Sequence, residues 1–150
     1  MRFFKRKQVR LVMFSGLLLL TFSIGKINAA LVHSVSGEVS AKGQGRIHLF
    51  LLTCEQFKAD DESAALHLVV DPGSSGQAVP FHFAQVAPGE YGIRCYQDEN
   101  NNGKLDFGTF GPKEPWGMSH NKRPFMRSPR FEEICFQVDA DIDKLMIKVK

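Results

Sequence analysis

Apolar residues recur at every second position along most of this chain from Leu31 onward, and this spacing constrains the fold more than any other feature. A period of two is that of a β-strand with one buried face, whereas an amphipathic helix has a period near 3.6. Gly, Pro, Asn and Asp separate the alternating runs, as turn-forming residues do. Seven short strands are therefore predicted, at residues 35–39, 47–51, 66–70, 79–83, 91–95, 134–138 and 145–149.

The connections between these strands suggest how they pair. The turn at residues 43–45 predicts a hairpin of the first two strands, the turn at 87–89 predicts a second hairpin, and the last two strands are expected to pair with each other. Residues 55–65 are expected to form a short helical turn or a loop. The prediction is an all-β fold, a two-sheet antiparallel sandwich of about seven strands.

One segment breaks the pattern. Residues 98–130 are rich in Asn, Asp, Gly and Pro and show little periodicity. Loops of this length without secondary structure of their own are uncommon and are often functional. A single long loop is predicted here, and it becomes the first place to look for a site.

The N-terminal end has the composition of a secretory signal peptide. Five basic residues and no acidic one lie within the first ten, residues 11–24 are largely apolar, and Ala29 and Ala30 follow. Cleavage is expected after Ala29, with Ala30 as the alternative, which leaves one domain at residues 30–150. An uncleaved anchor is the other interpretation, but a spanning helix needs about 20 apolar residues. No Cys follows the apolar run to carry a lipid, so the mature protein is expected to be periplasmic or secreted, with no stable membrane anchor.

Removal of that segment reverses the charge of the protein. The chain has 19 Lys and Arg against 16 Asp and Glu, and six of the basic residues but none of the acidic ones lie in residues 1–29. Residues 30–150 therefore hold 13 basic against 16 acidic residues, a net charge of −3. A nucleic-acid-binding domain is usually basic, so no nucleic-acid partner is expected.

Three cysteines remain in a compartment where disulfides can form: Cys54, Cys95 and Cys135. An odd number leaves at least one thiol unpaired, and the spacings match no C-x-x-C zinc or redox pattern. The favoured interpretation is small apolar residues on strands. One disulfide stays open, without a basis for choosing the pair.

Two stretches resemble known families. Residues 79–96, VPFHFAQVAPGEYGIRCY, resemble the F-x-F-x-x-x-x-P-G-x-Y-x-[IL] hairpin of prealbumin-like and carboxypeptidase-regulatory-like sandwiches. Residues 96–125 and 128–138 are similar to the core motif of a bacterial exported family, domain of unknown function 2141. The resemblance implies an exported immunoglobulin- or prealbumin-like β-sandwich and lends no catalytic residues. Prealbumin-like purine hydrolases end in Tyr-Arg-Gly-Ser, a signature absent from residues 146–150.

The long loop begins with the ligand order of an EF-hand-type calcium loop. Side-chain oxygens recur at loop positions 1, 3, 5 and 9, a Gly stands at position 6, and a backbone carbonyl serves position 7. Position 12 carries Thr109 where the bidentate Glu is usual, so weak binding is expected. The predicted metal residues are Asp98, Asn100, Asn102, Lys104 and Asp106.

Two acidic neighbours, Glu99 and Glu114, are candidates for completing that shell, although spacing alone cannot place them. The alternative is that Asn102 and Gly103 form a tight turn whose Asp and Asn side chains accept backbone amides. The sequence leaves calcium and the tight turn equally supported.

The second half of the loop interleaves aromatic and basic residues on an otherwise acidic domain. Such a surface binds anionic or glycan ligands, or partner proteins, through stacking and charge. The alternative, which we favour, is that the aromatic residues fold back over one end of the sandwich. The candidate ligand or partner surface consists of Trp116, Arg123, Phe125, Arg127 and Arg130.

No catalytic apparatus stands out. There is no G-x-S-x-G motif, and Ser119 and His120 are adjacent, which gives no particular geometry for proton transfer. The expected function is a non-enzymatic exported module that binds an unknown cell-envelope ligand or protein, with weakly bound calcium as its candidate cofactor. The alternatives are a metal-assisted hydrolase and a periplasmic copper-handling protein. Their candidate residues are Asp98, Glu99 and Asp106 for the hydrolase, and His120, Met118 and Cys135 for copper.

Overall fold

Two β-sheets face each other across an apolar core in the computed structural model, which describes residues 31–74, 76–124 and 127–150. The predicted signal peptide, residues 1–29, lies outside the described residues. Within those residues, no helix is both long and apolar enough to span a bilayer. In chain order the elements are β1 (His33–Ser40), β2 (Arg46–Thr53), α1 (Cys54–Ala59), β3 (Leu66–Val70), β4 (Ala78–Val86), β5 (Gly89–Asp98), β6 (Phe107–Gly108), β7 (Gly111–Pro112), β8 (Trp116–Met118), β9 (Cys135–Val138) and β10 (Ile142–Lys148).

Sheet one has the strand order β10-β1-β4, and sheet two has the order β3-β2-β5-β8. The pair β1 and β10 is parallel, and the other pairs of both sheets are antiparallel. Strands β6 and β7 form a separate two-stranded hairpin. The predicted all-β sandwich is confirmed, and each of the seven predicted strands has a counterpart.

The core between the sheets comes from the inward face of each strand. In β2, for example, Ile47, Leu49 and Leu51 are buried at alternate positions. They pack with Ile93 of β5 and with buried Val and Phe side chains of sheet one. Each such side chain contributes about 1.5–3 kcal/mol of burial free energy, which makes this core the main source of stability.

Sheet two is covered on its outer face as well. Phe50, Leu52 and Tyr96 point away from the core and are buried beneath Phe57 of α1 and Trp116 of β8. Burial on both sides explains why the sequence of β2 is almost continuously apolar rather than alternating. The layer over this face consists of α1 and the long segment that follows β5.

The predicted pairing of successive strands is wrong in all three cases. Strands β1 and β2 belong to different sheets, and so do β4 and β5, and β9 and β10. Each short connection carries the chain across the sandwich instead of back along the same sheet. An alternating pattern identifies the buried face of a strand, but the inward faces of both sheets are equally apolar, so it cannot identify the partner strand.

The two irregular segments are more ordered than predicted. Helix α1 begins with a capping box between Thr53 and Gln56 and ends at Asp60, which has a left-handed conformation. This confirms the helical turn expected within residues 55–65. The predicted single long loop instead contains β6, β7 and β8, followed by a 3₁₀ turn at Ser119–Asn121.

One edge of β5 is shared by two short strands placed end to end. Strand β9 pairs with residues 89–92 and β8 with residues 94–96, which leaves Ile93 at the gap between them. The backbone N–H of Ile93 donates to the buried Ser119 hydroxyl at 3.0 Å, and that hydroxyl in turn donates to the carbonyl of Ile134. Ser119 therefore replaces the missing backbone partner and joins the two strands.

Candidate functional site

The loop after β5 is organised around the buried carboxylate of Asp98. One carboxylate oxygen accepts the backbone N–H of Asn102 at 3.1 Å, and the other accepts that of Gly103 at 2.8 Å. Gly103 has φ +75°, a conformation that favours glycine and lets the backbone fold back over the carboxylate. His48 lies on the other side, with Nε2 3.7 Å from Asp98 Oδ2.

The other predicted metal residues meet at Asp106. Its Oδ2 accepts the side-chain amides of Asn100 at 2.7 Å and Asn102 at 3.0 Å. The amide oxygen of Asn102 accepts the backbone N–H of Lys104 at 2.8 Å. The structure therefore brings the predicted set together, held by the hydrogen bonds that characterise the tight-turn alternative.

The two acidic neighbours behave differently from each other. The Glu114 side chain is buried, and its two oxygens accept the backbone N–H groups of Glu99 and Asp106, both at 3.0 Å. Glu114 thus clamps the two ends of the loop. The carboxylate of Glu99 lies beside Gly43 instead. Within residues 31–74, 76–124 and 127–150, no group of three or more His, Cys, Asp and Glu side chains is placed to hold a metal ion.

An open groove of about 900 Å³ lies beside this loop on the outer face of sheet two. Phe110 is fully exposed, and Phe107 is 66% exposed. Both belong to the β6–β7 hairpin region. We call this site the groove, and its lining includes Phe57, Asp60, Arg94, Leu105, Phe107, Phe110, Pro112, Trp116, Met118 and Arg127.

The arginines of the groove already have acidic partners. Arg94 contacts Asp60 at 2.7 Å and Glu62 at 2.6 Å, and its guanidinium lies 6.0 Å from the ring centre of Phe57. Arg127 forms a two-pronged pair with Glu133, with both N···O distances at 2.7 Å. Hydrogen bonds from Arg127 lower the pKa of Glu133 to about 2. The positive charges of the groove are therefore neutralised locally.

A second, smaller pocket of about 70 Å³ lies on the other side of Trp116. The guanidinium carbon of Arg123 stands 4.3 Å from the ring centre of Trp116, a cation–π contact. Arg123 also donates to the backbone oxygens of Trp116 at 3.0 Å and Lys150 at 2.6 Å. We call this site the basic pocket, and it is lined by Trp116, Gly117, Met118, Asn121, Lys122, Arg123, Lys148 and Lys150.

One known protein family matches the part of the chain that contains most of these residues. Residues 34–145 match the family described as "uncharacterized protein conserved in bacteria (DUF2141)". The chain belongs to the DUF2141 family. This match confirms the resemblance seen in the sequence. No curated protein and no solved structure matches the chain, so the function of this DUF2141 domain has to be argued from its geometry.

The DUF2141 fold divides the predicted ligand surface between the two sites. Trp116 lines both, Arg123 belongs to the basic pocket, and Arg127 belongs to the groove. The backbone N–H of Arg130 donates to Glu133 at the start of a 3₁₀ turn. Phe125 lies outside the described residues. Sequence analysis missed Lys148 and Lys150, because they lie at and just after the end of β10, far along the chain from Arg123.

The candidate copper residues of the DUF2141 domain serve other contacts. His120 Nε2 lies 3.0 Å from the carbonyl oxygen of Cys135, and its ring meets Phe136 edge-on. Met118 is buried against Phe131 and Ile134. Burial raises the pKa of the Cys135 thiol, with the neighbouring Glu90 adding to the effect.

All three cysteines of the DUF2141 domain are free. Cys95 is buried on β5, as the favoured interpretation expected, and burial raises its pKa to about 12. A thiol with so high a pKa is almost entirely protonated at neutral pH, so it is a poor nucleophile and a poor metal ligand. Cys95 is therefore a packing residue.

Proposed function

We propose that this DUF2141 protein is an exported, non-enzymatic binding module that holds an oligosaccharide portion of a cell-envelope ligand in the groove. The observation that carries the proposal is the pair of exposed rings, Phe107 and Phe110, beside an open cavity of about 900 Å³. Large apolar side chains grouped at one open site usually mark a binding surface. Phe residues scattered singly would carry no such meaning.

The polar groups of the groove favour a ligand with little net charge. Arg94 and Arg127 present N–H donors in the lining and Asp60 presents acceptors, while Glu62 and Glu133 pair with these arginines from outside the lining. Because each arginine is already paired with a carboxylate, an anion gains little by entering. Hydroxyl groups both donate and accept hydrogen bonds, and sugar faces pack against aromatic rings, so an oligosaccharide suits this lining.

Export is part of the same proposal. It is supported by the basic and apolar runs of residues 1–24 and by the small residues that follow them. A cell-envelope ligand is accessible only to a protein on that side of the membrane. The net charge of −3 for residues 30–150 agrees with a ligand that is not nucleic acid.

We also propose weak calcium binding by the loop at residues 98–106. Two carboxylates, Asp98 and Asp106, and two amide side chains, Asn100 and Asn102, are linked in one hydrogen-bonded turn. Oxygen-rich sets of this kind suit calcium, and extracellular calcium sites work at about 10⁻⁴–10⁻³ M. Bound calcium would stabilise the loop that borders the groove through Leu105 and Phe107.

The groove is tested with protein purified after expression of the full chain and mixed with protease-treated, protein-free envelope polysaccharide. The unmodified protein should sediment with the polysaccharide. The double variant F107S/F110S should lose at least about fivefold in affinity, because two ring contacts of about 0.5–1.5 kcal/mol each are removed.

The matched control is L66S/V69S, which removes two exposed apolar side chains of β3 outside the groove lining. This control should sediment like the unmodified protein. The proposal is wrong if the unmodified protein does not bind the polysaccharide, or if F107S/F110S binds as tightly as the control.

A further inference from the structure

The basic pocket concentrates positive charge on an acidic domain. Its lining contains one arginine, Arg123, and three lysines, Lys122, Lys148 and Lys150, but no acidic side chain. Residues 30–150 carry a net charge of −3. Four basic residues around one pocket make it locally positive on a domain of opposite net charge, and such a pocket attracts anions.

The three lysines of the basic pocket differ from the arginines of the groove in having no acidic side-chain partner. Among the described residues, the ion pairs involve Arg46, Arg94 and Arg127, together with His33 and His48, and none involves a cation of the basic pocket. Arg123 is held by backbone oxygens and by the Trp116 ring. With Arg123 engaged in this way, the three lysines are the basic residues of the lining whose ammonium groups have no partner among the described residues.

The walls of the basic pocket are fixed in place by hydrogen bonds between the two sheets. Trp116 and Lys150 exchange backbone hydrogen bonds of 3.1 and 3.2 Å. The Asn121 side chain donates to the carbonyl of Met146 and accepts the N–H of Lys148, both at 2.7 Å. The pocket is thus already formed without a ligand, which lowers the entropic cost of binding.

The backbone beside the pocket is strained. His120 and Asn121 are consecutive non-glycine residues with φ +59° and +54°. Such residues are uncommon and persist where the surroundings hold them, often at functional sites. Here the two hydrogen bonds of Asn121 to β10 hold the turn, and this places Lys122 and Arg123 over the pocket.

The volume of the basic pocket and the charges around it favour a small anionic ligand. A space of about 70 Å³ accepts a group of only a few heavy atoms. Lysine ammonium groups act as point charges that suit phosphate, whereas recognition of a planar carboxylate favours the two-pronged geometry of arginine. A tetrahedral oxyanion with two negative charges fits both conditions.

We propose that the basic pocket binds a phosphate group carried by the envelope ligand. Trp116 and Met118 line both the basic pocket and the groove, so one phosphorylated saccharide can occupy the two sites together. The link to a saccharide rests on the proposed function of the groove. The phosphate site itself rests on the uncompensated cations.

Trp116 is the only tryptophan of the chain, so its fluorescence reports directly on the basic pocket. We expect a saturable fluorescence change when inorganic phosphate replaces chloride at constant ionic strength. The double variant K148Q/K150Q should weaken phosphate binding by at least about tenfold, since hydrogen bonds to charged groups are the stronger class.

The matched control is K58Q/K144Q, which removes the same charge from two exposed lysines outside the pocket lining. It should change the affinity less than about twofold, the size expected of long-range charge effects in salt. The inference is overturned if phosphate has no effect beyond that of chloride, or if both double variants weaken binding equally.

The source of the phosphate is tested with hexose 1-phosphate and with vesicles of phosphatidylglycerol, using phosphatidylcholine vesicles as the neutral reference. Tighter binding of hexose 1-phosphate than of inorganic phosphate supports the saccharide. Preferential binding to phosphatidylglycerol vesicles keeps the phosphate site but overturns the saccharide.

The two proposals fail separately. If F107S/F110S retains polysaccharide binding while phosphate still binds, the groove proposal alone is wrong. If K148Q/K150Q binds phosphate like the unmodified protein while the groove variant loses polysaccharide, the phosphate site alone is wrong.

Discussion

The two faces of sheet two are both buried, but different forces hold their covering layers. The inner face packs against sheet one through aliphatic and aromatic side chains such as Leu49 and Ile93. The outer face is covered by α1 and by the chain between β5 and β9. That outer layer is fixed at a few polar points, above all Glu114, Ser119 and Asn121.

This difference separates stability from binding. Apolar packing is not directional, so many sequences can fill the inner face, which is largely closed to solvent. Directional hydrogen bonds on the outer face fix a layer that contains both the groove and the basic pocket. Substitutions on the inner face should therefore affect the whole fold, whereas those on the outer face should affect local order and ligand binding.

The largest effect is expected from Leu49→Ala on the inner face. Leu49 is completely buried, and the substitution removes burial free energy and leaves a cavity, at a cost of about 2–5 kcal/mol. The measurement is the free energy of unfolding from urea denaturation. The control, Leu66→Ala on the 43% exposed β3 position, should cost less than about 0.5 kcal/mol. Equal costs would remove the distinction between buried and exposed positions of this sheet.

Calcium binding to the loop on the outer face is expected to have the next largest effect on stability. At 100 times its dissociation constant, a ligand of the folded state adds about 2.7 kcal/mol, which corresponds to a rise of roughly 5–15 °C in the melting temperature. Magnesium should do less, because it prefers a compact octahedral shell. Asp106→Asn removes one carboxylate while nearly keeping the shape, and it should abolish the response. If chelator-treated protein melts at the same temperature with and without millimolar calcium, the loop is only a turn.

Ser119→Ala tests whether a single polar contact joins β8 and β9. The substitution leaves the N–H of Ile93 and the carbonyl of Ile134 without this partner, at an expected cost of about 1–3 kcal/mol. Hydrogen exchange should show the Ile93 amide losing protection before the amides of β2. Ser74→Ala, at an exposed position, should change neither the free energy of unfolding nor the protection of the Ile93 amide. Unchanged protection at Ile93 would show that Ser119 is dispensable.

The sequence predicts which side chains form the inner face, but it does not predict the arrangement of the outer layer. The alternating pattern records burial and does not record which segments lie next to each other. Alternation at Val79, Phe81 and Phe83 records burial directly, since a strand turns every second side chain to the same face. The three incorrect hairpins show the limit of that information. Partner choice depends on where each connecting turn leads the chain, and the alternating pattern does not record that.

The candidate sites show the same limit. The oxygen-bearing residues of the loop at 98–106 are close in sequence, so their spacing predicted that Asp98 and Asp106 would meet. Arg123 and Lys148 are distant in sequence and meet only because β8 and β10 approach each other across the sandwich. No local pattern marks such a pair.

A smaller effect is expected from pH, through His48 on the outer face. Burial lowers the pKa of His48, with a further contribution from His67, while Asp98 raises it. The unfolded state therefore binds a proton more readily than the folded state, so the contribution to stability is complete above the ordinary pKa of 6.5 and falls as the pH drops below it. In urea denaturation between pH 7.5 and 5.5, His48→Gln should lose stability less steeply than the unmodified protein. A steeper loss would reverse the assigned sign.

Arg127→Gln is expected to have the smallest effect on stability. It is also the sharpest test of how the groove differs from the basic pocket. Glu133 accepts hydrogen bonds from the Arg127 guanidinium and from the backbone N–H of Arg130, and these hold its pKa at about 2. The substitution removes the first and leaves the second, so the pKa of Glu133, measured by an NMR titration, should rise part of the way towards its ordinary value of 4.5. Arg46→Gln, which removes a cation paired with Asp71 elsewhere, should leave it unchanged.

The same variant separates the charges of the two sites. Arg127 is already neutralised by Glu133 and lines only the groove, so Arg127→Gln should bind inorganic phosphate with nearly unchanged affinity. The cations of the basic pocket have no such partner, which is why removing Lys148 and Lys150 is expected to matter where removing Arg127 does not. If Arg127→Gln instead weakens phosphate binding as strongly as K148Q/K150Q, the affinity reflects the summed charge of the surface, and the basic pocket is not a distinct site.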